Sequence, residues 1–223
     1  MEDALRHLRQ SQLSFIGAAA LSRRAPQGAA LSLESVAALS GRLVEVSGTG
    51  GHACLSVAMQ WVKATQVAGE LAAWVQLGPS VPFIPDVAAL GIDLSALPFI
   101  VMPTIASALR SAEHVLRSGA FGLVVIDTGL SLCGLRQREP ELQAAMLSRL
   151  LGLAQKHHTA VVCLSEKKRE APSLGSLVSL RLHCARKKLA VSGAEIVCEV
   201  VKDKHSGPGS VAEWSFAAVA GVK

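Results

Sequence analysis

With 223 residues, half of them hydrophobic and 17% charged, the chain is long enough to bury one sizeable core and too apolar to be disordered. A net charge of +5 permits an acidic partner such as DNA without requiring one. Aromatic residues make up 4% of the chain and none is tyrosine, which argues against a base-stacking platform of the single-strand-binding kind.

The cysteines, Cys54, Cys133, Cys163, Cys184 and Cys198, form no C-x-x-C pair, and most sit in apolar runs. Neither a disulfide framework nor a zinc site is expected, and a reducing cytoplasm fits this usage. The apolar stretch at residues 15–21 follows Glu2 and Asp3 and is too short to span a membrane.

In chain order, Leu5, Leu8, Phe15 and Ile16 among Arg6, Arg9, Gln10 and Gln12 predict an amphipathic N-terminal helix. It ends in the linker Arg23-Arg24-Ala25-Pro26-Gln27-Gly28, so residues 1–28 are expected to stand apart from a core domain at 29–223. Strands are then predicted at 43–46, 72–75, 99–101, 123–126 and 160–164, with helices at 54–67, 104–117 and 141–157. Apolar strands alternating with helices imply an α/β domain whose parallel sheet is covered on both faces. Closely spaced strands at 177–184, 196–202 and 211–216 predict an antiparallel extension of that sheet.

A strand, a glycine-rich turn at 48–51 and a helix make the frame of a Walker A motif. That motif works because backbone N–H groups cradle phosphates, a lysine neutralises their charge and a hydroxyl holds magnesium. The frame here begins Gly48-Thr49-Gly50-Gly51-His52, and then Ala53 stands for the second glycine, Cys54 for the lysine and Leu55 for the hydroxyl. No lysine occurs before Lys63, and His52 is at most a weak substitute donor. Leu123-Val124-Val125-Ile126-Asp127 has a Walker B pattern, its carboxylate placed either for a metal-bound water or for nearby backbone amides. No acid lies in residues 71–85, where a hydrolytic base would be expected. Neither catalysis nor a bound cofactor is expected.

These segments resemble the core of the RecA recombinase family. Gly41-Arg42-Leu43-Val44-Glu45-Val46 leads into the turn as in that family, and Val115-Leu116-Arg117-Ser118-Gly119-Ala120 before residues 123–127 is similar to its Walker B approach. Val200-Val201-Lys202-Asp203-Lys204 and then Ala212-Glu213-Trp214 are similar to its late sheet. The resemblance runs in order over about residues 31–220. It implies a RecA-like P-loop NTPase core, with a mainly parallel central sheet flanked by helices and an antiparallel extension at the C-terminal end. Glu166 stands where the family places a nucleotide-sensing glutamine before its second DNA-binding loop, which is shortened here to about residues 167–176. The first DNA-binding loop is shortened around residues 132–141, and the family's C-terminal domain is expected to be absent.

A short RecA-like chain with such a turn resembles the ImuA family of accessory proteins in bacterial inducible mutagenesis. That resemblance implies a non-catalytic role in the SOS response, supporting translesion synthesis beside an ImuB-type polymerase-like protein and RecA. Two alternatives stay open: a cell-division inhibitor of the SulA type, and an unorthodox ATPase whose phosphate charge is met by Lys202 or Lys204. Candidate contacts to DNA or a partner are Lys167, Lys168 and Arg169 in one shortened loop, Arg136 and Arg138 in the other, and Lys202 and Lys204. Arg186, Lys187 and Lys188, expected to join two late strands, complete the basic set; a solvated loop is the plainer reading of each group. Leu5, Leu8 and Phe15 offer the other docking candidate, as an amphipathic helix that packs on its own core or on a neighbouring subunit.

Overall fold

The computed structural model describes residues 36–49, 52–79, 82–128, 140–188, 194–205 and 213–217. Its strands are β1 (Leu43–Gly48), β2 (Leu71–Leu77), β3 (Phe99–Met102), β4 (Phe121–Asp127), β5 (Ala160–Glu166), β6 (Leu180–Lys188), β7 (Ala194–Asp203) and β8 (Glu213–Ala217). The helices are α1 (His52–Val67), α2 (Ile84–Ala89), α3 (Ile105–Ser118) and α4 (Pro140–His157). The strands form one sheet in the order β3-β2-β4-β5-β1-β6-β7-β8. β1 to β6 are mutually parallel, while β7 and β8 are added antiparallel. This is a RecA-like α/β fold whose antiparallel extension is β7 and β8. The strand expected at 177–184 as part of that extension, β6, instead pairs parallel with β1 and closes the parallel part of the sheet. The predicted helix and linker at residues 1–28 lie outside the described residues.

Side-chain alternation sorts the core into two layers. Val44 and Val46 of β1, Ala72 and Trp74 of β2, Leu123 and Val125 of β4 and Val162 of β5 pack under α1. Leu43, Val75, Val124, Ile126, Val161 and Cys163 pack under α3 and α4 on the opposite face. Both faces of the central strands are therefore dry, which is why their sequences read as near-continuous apolar runs. Each fully buried Val, Leu or Ile contributes roughly 1.5–3 kcal/mol.

Local signals set the ends of α3. Thr104 and Ser107 form a reciprocal capping box at its start, and Gly119 closes it in the left-handed region at φ 67°. The short helix α2 has no counterpart in the expected elements, because Pro82 and Pro85 read as breakers. Pro85 instead occupies the first turn, where its missing N–H costs nothing. β6 also runs further than predicted. Arg186, Lys187 and Lys188 continue the strand opposite Ile196, Glu195 and Ala194, so they are ladder residues and not the connection between strands. Among the described residues no helix is long and apolar enough to cross a membrane.

A buried ion pair ties the two halves of the sheet together. Arg42, at the foot of β1, donates from Nη2 to Asp203 Oδ1 of β7 at 2.6 Å, with both side chains at most 4% exposed. The same guanidinium donates to Ser179 Oγ at 3.0 Å and to the Ser179 carbonyl at 3.2 Å. Replacing Arg42 by methionine removes the cation that this ion pair places against buried Asp203. The expected loss is about 3–5 kcal/mol of unfolding free energy, read from urea denaturation.

Candidate functional site

Ligands of open α/β sheets bind outside the carboxyl ends of the parallel strands, and here those ends are Gly48 of β1, Leu77 of β2, Asp127 of β4 and Glu166 of β5. Gly48 pairs with Glu166 on one side and with Cys184 on the other. A Cβ at Gly48 would stand 2.6 Å from the Cys184 carbonyl oxygen and 3.0 Å from Cys54 Sγ, so only glycine fits. Gly51 lies outside the described residues, as does the side chain of His52.

Cys54, the residue that the sequence pattern sets in the lysine place of a Walker A frame, does not project outward. Its thiol is 3% exposed and belongs to the core beneath α1, with Ala53 beside it and Leu55 packed against that core. Burial, then Cys198, Asp127 and Glu166, push its pKa up to about 12, so it stays neutral at physiological pH. The two carboxylates that act on it come from the ends of β4 and β5, both on one side of β1. A phosphate brought to this edge meets their negative charge, while the Cys54 thiol lies beneath it in the core. Gln76, buried at the end of β2, accepts from Trp74 Nε1 at 3.0 Å and donates to the Asp127 carbonyl at 3.5 Å. Gly78 follows at φ 77° with open space around it. Among the described residues no three His, Cys, Asp or Glu side chains are grouped to hold a metal ion.

The opposite face of β1 carries what sequence reasoning missed. Glu45 is fully buried, yet its carboxylate is heavily bonded. Ser165 Oγ donates to Oε1 at 3.0 Å, while Ser173 Oγ and the Leu174 N–H donate to Oε2 at 2.9 and 3.0 Å. Lys167 pairs with Oε1, and Arg181 Nε lies 3.9 Å from Oε2. Arg181 then reaches along the loop after β5, donating to the carbonyls of Lys168 and Arg169 at 3.1 Å each and also to that of Ala171. It donates further to Ser47 Oγ at 3.3 Å, which lies 3.4 Å from His183 Nδ1. Burial and the adjacent Arg181 hold the His183 pKa below its usual value. The available signal was a lone glutamate between Val44 and Val46 and a lone arginine between Leu180 and Leu182, opposite charges in two apolar strands.

These bonds redistribute the basic candidates. Lys167 is withdrawn from the surface, 8% exposed against Glu45 and bonded to the Pro172 carbonyl at 2.7 Å. Arg169 is half exposed and pairs with Glu199, whose carboxyl it holds below the usual range. Lys202 lies 3.5 Å from the Gly175 carbonyl and Lys204 bonds the Ser176 carbonyl, so both turn onto their own chain. Burial holds the Lys202 amine below its ordinary pKa. Lys168, Arg186 and Lys187 are exposed. Lys188 has only its place on β6, and Arg136, Arg138, Leu5, Leu8 and Phe15 lie outside the described residues.

No family model matches the chain. It is similar to RecA proteins at 26–29% identity. Against that of Kineococcus radiotolerans it is 28% identical over 206 residues, covering 79% of this chain and 59% of the relative. The Nocardia farcinica protein is 29% identical with the same coverage. The Frankia casuarinae protein is 27% identical over 212 residues, covering 82% of this chain and 61% of its own length. The chain thus shows distant homology to RecA over about four fifths of its length and spans roughly 60% of those relatives.

Two outcomes follow from the two faces of β1. Glu45→Gln removes the charge that Lys167 and Arg181 oppose, and trypsin is expected to cut after Lys168 or Arg169 at least about tenfold faster than in the parent. Mass spectrometry of the clipped chain reads this. At pH 8 only ~1 in 10,000 of the Cys54 and Cys163 thiols is ionised at a pKa of about 12. Ellman's reagent is therefore expected to label neither in the native protein and both in urea.

Proposed function

We propose that this chain is a non-catalytic adaptor on a RecA-like core, acting in the DNA-damage response and supporting translesion synthesis through an ImuB-type polymerase-like partner and RecA. The observation that carries the first half is Cys54. Where a lysine would reach phosphates, a neutral thiol lies in the core, and the charges nearby that act on it are the carboxylates Asp127 and Glu166. Hydrogen bonds to charged groups contribute about 1.5–3 kcal/mol each, so losing a lysine that makes several of them removes most of a nucleotide's affinity. The absence of a carboxylate across residues 71–85 supports the same reading, since no general base stands where the fold would place it.

The similarity to RecA supports a surface that a RecA filament or its regulators recognise, and the ImuA resemblance supports the ImuB-type partner. Direct DNA contact is a minor part of this reading. Lys168, Arg186, Lys187 and Lys188 supply a small basic set on β6 and the loop after β5, enough for salt-sensitive, sequence-blind contact with a phosphate backbone. The rival ATPase would draw its cation from Lys202 or Lys204, and both are committed to loop carbonyls.

Titration calorimetry with magnesium and ATP is expected to give no heat up to millimolar nucleotide, beside an intact RecA as positive control. A tagged form of the chain is expected to retain ImuB-type protein from a DNA-damaged cell extract. Micromolar ATP binding would overturn the adaptor reading, and failure to retain either ImuB-type protein or RecA would overturn its translesion assignment.

A further inference from the structure

Helices α3 and α4 lie side by side over the second face of the sheet, and the seam between their outer surfaces is a groove of about 150 Å³. Its floor is apolar: Leu109 of α3 and Leu150 of α4 are buried, and Met146 is half-buried. Its rims are cationic. Arg110 stands on one helix and Arg149 on the other, both exposed. Neither has an ion-pair partner among the described residues. Glu113, the one carboxylate lining the groove, is already bonded to Arg117 at 2.6 Å.

We propose that this groove docks an acidic, amphipathic segment of a partner protein, its apolar side chains on Ala145 and Met146 over the buried floor of Leu109 and Leu150 and its carboxylates on Arg110 and Arg149. Paired arginines flanking an apolar floor suit forked contact with carboxylates. Helix-in-groove binding uses the same arrangement of apolar anchors and complementary rim charge.

Charge selects among occupants. The chain's own residues 1–35 carry Arg6, Arg9, Arg23 and Arg24 against Glu2, Asp3 and Glu34, so that segment is not acidic. A second copy of the chain brings a further +5 and repels on average. Nucleic acid fits poorly as well. The groove lining includes no aromatic ring on which a base could stack. The groove does not depend on the translesion reading, and loss of ImuB-type binding would leave it standing.

The test is fluorescence polarisation with a labelled synthetic helix of glutamate and leucine at amphipathic spacing. Comparison probes are the same helix with serine for leucine and a labelled poly-dT strand. The Glu/Leu helix is expected to bind the parent and to lose about tenfold in affinity to Arg110→Glu/Arg149→Glu. Arg110→Gln/Arg149→Gln is expected to give an intermediate loss, and matched melting curves show that the variants fold. Amide chemical-shift changes on adding the helix are expected to cluster on α3 and α4. No binding to the parent, equal binding to parent and charge-reversed protein, or equal binding of the serine helix would overturn the proposal. So would poly-dT displacing the helix and losing its own binding in the same variant, which would mark the seam as a phosphate site.

Discussion

Glu45 puts a carboxylate, without any solvent contact, into the middle of an eight-stranded sheet. Moving such a charge out of water costs several kcal/mol, offset only when its oxygens are fully bonded and its charge is opposed. Ser165, Ser173, the Leu174 amide and Lys167 meet that demand, and Arg181 stands behind them. The contacts come from β5, from the loop after it and from β6, so the carboxylate can be satisfied only when all three are in place. It also fixes register. A one-residue slip of β1 would turn Glu45 onto the α1 face, among Val57, Ala58 and Trp61, away from Ser165, Ser173, the Leu174 amide, Lys167 and Arg181.

Alternation along β1 separates two kinds of chemistry. Val44 and Val46 face α1, and that side ends in Cys54, Asp127 and Glu166 at the carboxyl edge. Glu45 and Ser47 face away, into the network that holds residues 167–174. Lys167 immediately follows Glu166, the last residue of β5, yet it serves the other face, because neighbouring residues of an extended chain point to opposite sides. The cation that sequence places nearest the edge is thus unavailable to it. An edge without a cation from Lys167 and a pinned loop have one origin, the pairing of Lys167 with the buried Glu45 on the other face.

How much of this the sequence disclosed follows the same division. The parallel strands were legible because burial on both faces makes apolar runs, and the antiparallel extension because its strands are too close together for helical crossovers. The strands β2, β4 and β5 run past the predicted segments, because polar terminal residues such as Gln76, Asp127 and Glu166 still pair in the ladder. Arg186, Lys187 and Lys188 misled by composition, since three cations in a row read as a loop although a strand solvated near its end tolerates them. Cys54 was legible as an identity at a motif position; its depth was not, because exposure depends on how α1 settles onto the sheet. Lys167, between Glu166 and Lys168, had the look of a solvated charge run, and only its pairing with Glu45 across strands revealed its role.

The buried carboxylate also bears on the outer surface. Once Glu45 holds the Leu174 amide, the Leu174 side chain and Val178 enter the core beneath α3 and α4, with Leu147 and Leu150 of α4. Gly175 lies close enough that a Cβ there would stand 3.5 Å from Leu147 Cδ1. The loop is therefore part of the support on which α4 rests, and α4 carries Met146, Arg149 and Leu150 of the groove. If the chain works as the proposed adaptor, its frame must be rigid where the surface is borne, and the bonded Glu45 carboxylate ties together the strand and loop on which α4 rests. The loop and the edge, in this reading, contribute by staying closed, and recognition falls to the helices above them.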